Sequence, residues 1–170
     1  MQRNVGGILG GILALCLAAG LAAGWRAQAG GGAAAAPAAQ NAFTPQAIHF
    51  GPAPPFIPPG AQLAVLEGDP MAHRGDYTVR LKMPAGYRIP PHWHPRRENV
   101  TVISGRLKLG MGNHFVAGSM KTYPPGSFVY LDPAMHHYAM AATATVVQIH
   151  GASPVQFNYV NPKDDPSHRP

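Results

Sequence analysis

The chain of 170 residues carries a single cysteine, Cys16, and only 7 acidic residues against 13 basic ones. After residue 30 it has no long apolar run, and no segment keeps the 3.6-residue apolar period of an amphipathic helix. Each absence excludes something. One cysteine cannot form an intrachain disulfide, so a folded domain must rest on its hydrophobic core. Without helical periodicity, helix bundles and alternating α/β architectures are ruled out. No G-x-S-x-G elbow, phosphate-binding loop or Cys-His pairing is present, which disfavours nucleophilic hydrolysis and nucleotide chemistry.

What is there begins with a secretory signal pattern. Arg3 precedes an uncharged apolar run over residues 5–23, and Ala27-Gln28-Ala29 supplies small residues for cleavage after Ala29. Residues 1–29 are therefore expected to be a signal peptide and the mature protein to be periplasmic or secreted. Retention of the run as a membrane anchor is the alternative. Cleavage would remove Cys16, leaving imidazole and carboxylate as the only metal-binding chemistry. It would also remove Arg3 and Arg26, leaving a formal charge of +4 from 11 basic and 7 acidic residues. These charges are scattered, which is a solvated surface rather than a nucleic-acid or membrane footprint.

Residues 30–60 divide into a low-complexity Ala/Gly stretch, expected to be a flexible linker, and a proline-rich arm at 51–60. The arm cannot be a helix or a central strand, and Phe56 and Ile57 are its apolar anchors. From 61 to 161 the chain reads as short strands: 62–67, 76–83, 98–104, 106–111, 126–131, 137–142, 144–150 and 155–160. Tyr77, Val79 and Leu81 alternate with Thr78, Arg80 and Lys82, and Ser104-Gly105-Arg106 reads as a tight hairpin turn. About 100 residues in many short strands point to an all-β sandwich or barrel. Residues 162–170 form a polar tail.

The richest stretch runs from Gly86 to Gly105 and contains His92, His94 and Glu98. Their separations of two and four residues put all three on one face of an extended chain. Pro90, Pro91 and Pro95 disfavour helix there. Two neutral imidazoles and a carboxylate suit a divalent transition metal. A second segment leads from Gly126 through an apolar strand and a proline turn to His136 and His137, either of which could supply a further imidazole.

These two segments resemble the cupin family. Its first motif, G-x5-H-x-H-x3-E-x6-G, is matched at every fixed position from Gly86 to Gly105, and its second places a histidine eleven residues after a glycine, which is His137 counted from Gly126. His136 falls one residue early. Asp132-Pro133-Ala134 stands where the family commonly has Pro-Ala-Gly. The segments 59–70, 90–95 and 150–166 are also similar to those of small exported bacterial cupins. The resemblance implies a double-stranded β-helix at 61–161 holding one metal ion by His92, His94, Glu98 and His137. Fe, Mn, Zn, Ni and Cu all fit that set. It further implies a small-molecule ligand or substrate, and a homodimer paired through sheet edges or the arm. The expected function is that of an exported mononuclear metal-binding cupin, as a dioxygenase-like metal-dependent oxidoreductase. A non-catalytic binder or sensor and a metal-assisted isomerase or lyase are the alternatives.

Other residues are candidate pocket groups. Gln148 and His150 share a strand face, which is either the interior, with His150 as a base, or the exterior, with Val147 and Ile149 turned inward. Tyr138 and Tyr130 could bring a phenol near the metal, although core packing is the commoner role of strand aromatics. Arg96 and Arg97 either guide an anion or are solvated. Met83, Met111, Met120, Met135 and Met140 read as pocket and core filler. His49, His73, His114 and His168 read as surface residues.

Overall fold

The computed structural model describes residues 41–168. The expected signal peptide and most of the expected linker lie outside the described residues. Among the described residues eleven strands run in chain order: β1 (Gly51–Pro52), β2 (Gln62–Glu67), β3 (Asp76–Met83), β4 (Arg88–Trp93), β5 (Glu98–Ser104), β6 (Leu107–Met111), β7 (Lys121–Tyr123), β8 (Phe128–Leu131), β9 (His137–Ala141), β10 (Thr145–Ala152) and β11 (Asn158–Tyr159). They form two antiparallel sheets, one of order β1-β2-β3-β10-β5-β8 and the other β11-β4-β9-β6-β7. This is the double-stranded β-helix that the resemblance implies. Among the described residues no helix is long and apolar enough to cross a bilayer.

Alternation decides which face of each strand meets the core. On β3, Tyr77, Val79, Leu81 and Met83 are buried while Thr78, Arg80 and Lys82 face outward. Val147 on β10, Val100 and Val102 on β5, and Leu107 and Leu109 on β6 fill the space between the sheets. At about 25 cal/mol per Å² of apolar surface removed from water, these side chains are the main stabilising contribution in a domain without disulfides.

The Gly105 turn differs from the expected hairpin. β5 pairs with β10 and β8, whereas β6 pairs with β7 and β9, so the turn carries the chain from one sheet to the other. Alternation along a strand reports its buried face and not its partner, which is why the pairing was not legible locally. The turn needs glycine: φ is +78°, and a Cβ would meet the Ala144 carbonyl oxygen at 2.2 Å. Strands β1 and β7 are two- and three-residue edge elements, too short to show a period.

The proline-rich arm folds onto the barrel. β1 extends the edge of the six-stranded sheet, where Pro52 costs no ladder bond. Ile57 is buried in the core and Phe56 packs against it. The hydroxyl of Tyr159 donates to the Phe56 carbonyl at 2.8 Å, and that of Tyr87 donates to the Pro58 carbonyl, fastening the turn over the barrel.

Candidate metal centre

Three strands deliver the cluster. His92 on β4 lies directly across from His137 on β9, with ring centroids 4.2 Å apart. His94 follows β4 immediately, and Glu98 opens β5 in the facing sheet. The β4–β9 register shifts between Ile89 and His92: Ile89 pairs with Ala139 and His92 with His137, three residues on one strand against two on the other. That is a bulge at Pro90-Pro91, where neither residue has an N–H to give to the ladder. It allows Ile89 and His92, an odd number of positions apart, both to face the interior.

Three rings end in the same interior space, one nitrogen of each lying within 4.8 Å of the others, and all three residues are buried. Nδ1 of His92 contacts the Pro90 carbonyl at 2.7 Å, that of His94 the Gln156 carbonyl at 2.6 Å, and that of His137 the Met135 carbonyl at 2.9 Å. A carbonyl only accepts, so each Nδ1 carries the proton and each Nε2 presents a lone pair inward. Backbone carbonyls behind the rings hold tautomer and orientation, as partners behind metal-bound histidines do. The Nε2 of His94 is buried with no hydrogen-bond partner in the protein. A buried lone pair of this kind is costly unless something occupies it. The donor set therefore fits a divalent transition metal, with no cysteine needed.

Glu98 closes the cluster from the opposite sheet. Its Oε2 lies 3.6 Å from the Nε2 of both His94 and His137. Burial pushes its carboxyl up, but the charge that His94 carries once protonated at low pH, the hydrogen bond and charge that protonated His137 then supplies, and the charge of His92 outweigh this and bring it down to about 2. Burial, followed by charge on His137 and His94, holds the His92 imidazole well below its usual range. Both shifts favour deprotonated donors at neutral pH, the form that binds metal.

The turn before β9 keeps its shape without a glycine. Ala134 takes φ of +61°, the left-handed conformation, and its N–H donates to the His94 carbonyl at 2.8 Å. This puts His137 inward. His136 faces outward, its Nδ1 against Asn113 and its ring stacked on Trp93.

The cluster borders a cavity of about 760 Å³, counting the part that opens to solvent. Tyr77 from β3 lines it, and the ring of Phe157 stacks on His92 at 4.7 Å and meets His94 edge-on. Burial, then the Glu98 charge, pushes the Tyr77 phenol up, so its hydroxyl stays protonated. Neither residue stood out as a site residue in the sequence. The alternation of β3 already grouped Tyr77 with Val79 and Leu81, but nothing local marked that face as the cavity wall.

The remaining candidates lie elsewhere. Val147 and Ile149 line the cavity, so Gln148 and His150 occupy the outer face of β10. Gln148 accepts from Arg80 at 3.1 Å, and exposed His150 stacks on Phe128. Tyr138 is buried on the opposite face of β9 from His137, its ring against Phe115 and its hydroxyl donating to the Val116 carbonyl. A Cβ on Gly110 would overlap that ring at 2.2 Å, so this Tyr138 packing requires glycine on β6. Tyr130 is exposed, with Arg97 over its ring, and Arg97 also pairs with Asp132 at 2.6 Å. Met83 fills the core, whereas Met111 and Met135 are exposed and fill nothing. His49, His73, His114 and His168 are at the surface, His168 beside Asp165.

Solved structures share this architecture. The polyketide cyclase RemF from Streptomyces resistomycificus is 14% identical with a TM-score of 0.59, covering 74% of this chain and 89% of its own. An acetylacetone dioxygenase from Acinetobacter johnsonii is 16% identical with a TM-score of 0.52, covering 68% and 74%. An RmlC-like cupin from Shewanella frigidimarina is 13% identical with a TM-score of 0.50, covering 65% and 87%. At these identities the likeness is one of fold. No curated protein matches the chain. The family model of the ChrR cupin-like domain matches residues 39–156, and the chain belongs to that cupin family.

Proposed function

We propose that the protein is a mononuclear metal-binding cupin whose His92, His94, Glu98 and His137 hold one divalent transition ion beside a small-molecule cavity. The observation that carries this reading is the buried, unpartnered Nε2 of His94, within reach of two further imidazole nitrogens and beside a carboxylate. A bound ion would supply Lewis acidity toward a coordinating oxygen and, if redox-active, access to dioxygen chemistry. The reaction class this supports is that of a metal-dependent oxidoreductase of dioxygenase type. The protein residues contribute placement and exclusion of water: Phe157 covers the His92 ring, and the Tyr77 hydroxyl can donate to a ligand oxygen. The isomerase or lyase alternative loses the base considered for it, because His150 faces away from the cavity.

The test is elemental analysis of protein purified from its native compartment, together with the His92→Ala/His94→Ala double variant and Glu98→Gln. One equivalent of metal is expected in the parent and none in the double variant. Glu98→Gln is expected to weaken affinity by at least the roughly 10–100-fold that accompanies loss of a ligand's supporting partner. Retention of metal by the double variant refutes the site. Oxygen uptake by the loaded protein then separates an oxygenase from a non-catalytic binder. Export belongs to the same reading and rests on residues 1–29. N-terminal sequencing that finds Gly30 first, in a periplasmic or secreted fraction, supports it.

A further inference from the structure

The cavity wall is divided chemically into two unequal parts. One part is polar and compact, made by His92, His137 and Glu98, and Tyr77 is the one phenol among the remaining lining residues. The rest, from both sheets and the arm, is apolar, with Leu81, Val100, Leu109, Val147, Ile149 and Phe157 prominent. Among the lining residues there is no Lys, Arg, Asp, Asn, Gln, Ser or Thr. A ligand with several hydroxyls, a phosphate or a second charged end would leave those groups desolvated and unpaired against this wall. A purely apolar ligand would leave the histidine nitrogens without a partner.

We propose that this site takes an uncharged small molecule with an apolar body and a single oxygen-donor head, the head set among Tyr77, His92 and His137 and the body along the aliphatic wall. The inference rests on the metal reading for its head group, while the apolar body stands on the lining alone. Pockets with a mostly apolar wall and a few converging polar groups bind ligands of this kind.

Three hydroxamates with one head and different tails test it by calorimetry on the metal-loaded protein. Octanohydroxamate is expected to bind at least ~100-fold more tightly than acetohydroxamate, since each methylene buried adds affinity. It is likewise expected to exceed succinomonohydroxamate, whose tail ends in a carboxylate. Ile149→Trp, which fills the wall at a half-buried position, should erase the octanoyl advantage over acetohydroxamate. Equal affinities for the octanoyl and acetyl probes, or a preference for the carboxylate tail, overturn the proposal while leaving metal content as measured. A metal-independent arm uses N-phenyl-1-naphthylamine on the metal-free chain. Fluorescence enhancement that Ile149→Trp removes supports the apolar cavity even where no metal loads. No enhancement in the parent overturns it.

Discussion

His94 is the residue in which structure and chemistry meet most directly. Its Nδ1 is committed to the Gln156 carbonyl, its Nε2 is buried without a partner, and Glu98 lies 3.6 Å away. A free buried acceptor costs roughly 1–3 kcal/mol, which a metal ion would recover. Ala134 carries a different cost. It holds φ of +61° in the turn that sets His137 inward, a conformation that costs a residue with a Cβ roughly 1–2 kcal/mol. Ala134→Gly should therefore stabilise the domain by a net of about 0.5–1 kcal/mol, after glycine's own entropy loss is subtracted. Urea unfolding measures this as a higher midpoint at unchanged slope. A lower midpoint would mean that the turn is not under strain.

At the scale of elements, the β4 bulge is what makes the centre. Period-two reading grouped His92 with His94 and Glu98 on one extended face. His94 instead lies just past the end of β4 and Glu98 opens β5 in the other sheet, so the crossing over residues 94–97 and not alternation brings Glu98 to the cluster. Nor did that reading show that Ile89 also points inward, since only the extra residue at Pro90-Pro91 reconciles the two phases. Deleting Pro91 removes the bulge and should rotate either the histidine or the isoleucine face outward. The expected outcome is protein that keeps its β-sheet circular dichroism but binds less than about a tenth of its metal at concentrations that saturate the parent, since a one-residue slip exchanges the faces of a strand. Full metal content in the deletion variant would mean that β4 re-forms the bulge from its neighbours. The same limit of local reading explains the Gly105 turn, whose strands proved to belong to different sheets, and β10, where alternation separated Gln148 and His150 from Val147 and Ile149 without saying which pair faced in.

At the scale of the whole molecule, burial of the histidine-carboxylate cluster couples stability to pH. His92 is held below its usual value of 6.5, so under mildly acidic conditions the unfolded chain binds a proton that the folded chain refuses. Glu98, lowered from 4.5 to about 2, acts in the same direction at lower pH. Stability of the metal-free protein is therefore greatest above about 6.5 and falls progressively below it, with the Glu98 contribution lost between about 4.5 and 2. Thermal melts of chelator-treated protein from pH 8 to pH 4 should show a decreasing midpoint. Metal-loaded protein should melt higher at pH 8 and lose that advantage on acidification, because protons compete for the same nitrogens. A midpoint that rises as pH falls from 7 to 5 would contradict the assignment of a neutral buried cluster.

Residue type and spacing alone pointed to the all-β class, singled out His92, His94 and Glu98 as candidate metal ligands, and bounded the chemistry open to a chain with one cysteine. These are properties of short stretches, where period-two geometry and the proton affinity of imidazole and carboxylate act without reference to distant segments. The family resemblance already favoured His137 over His136, and the tertiary structure sets His137 across from His92; only the tertiary structure decided that Tyr77 and not Tyr138 borders the cavity and that Phe157 lies over the histidines. Those outcomes depend on which sheet each strand joins and on where the Pro90-Pro91 bulge shifts the register. Pairing is settled by long-range burial of one face of every strand at once, and no single stretch of sequence contains that information.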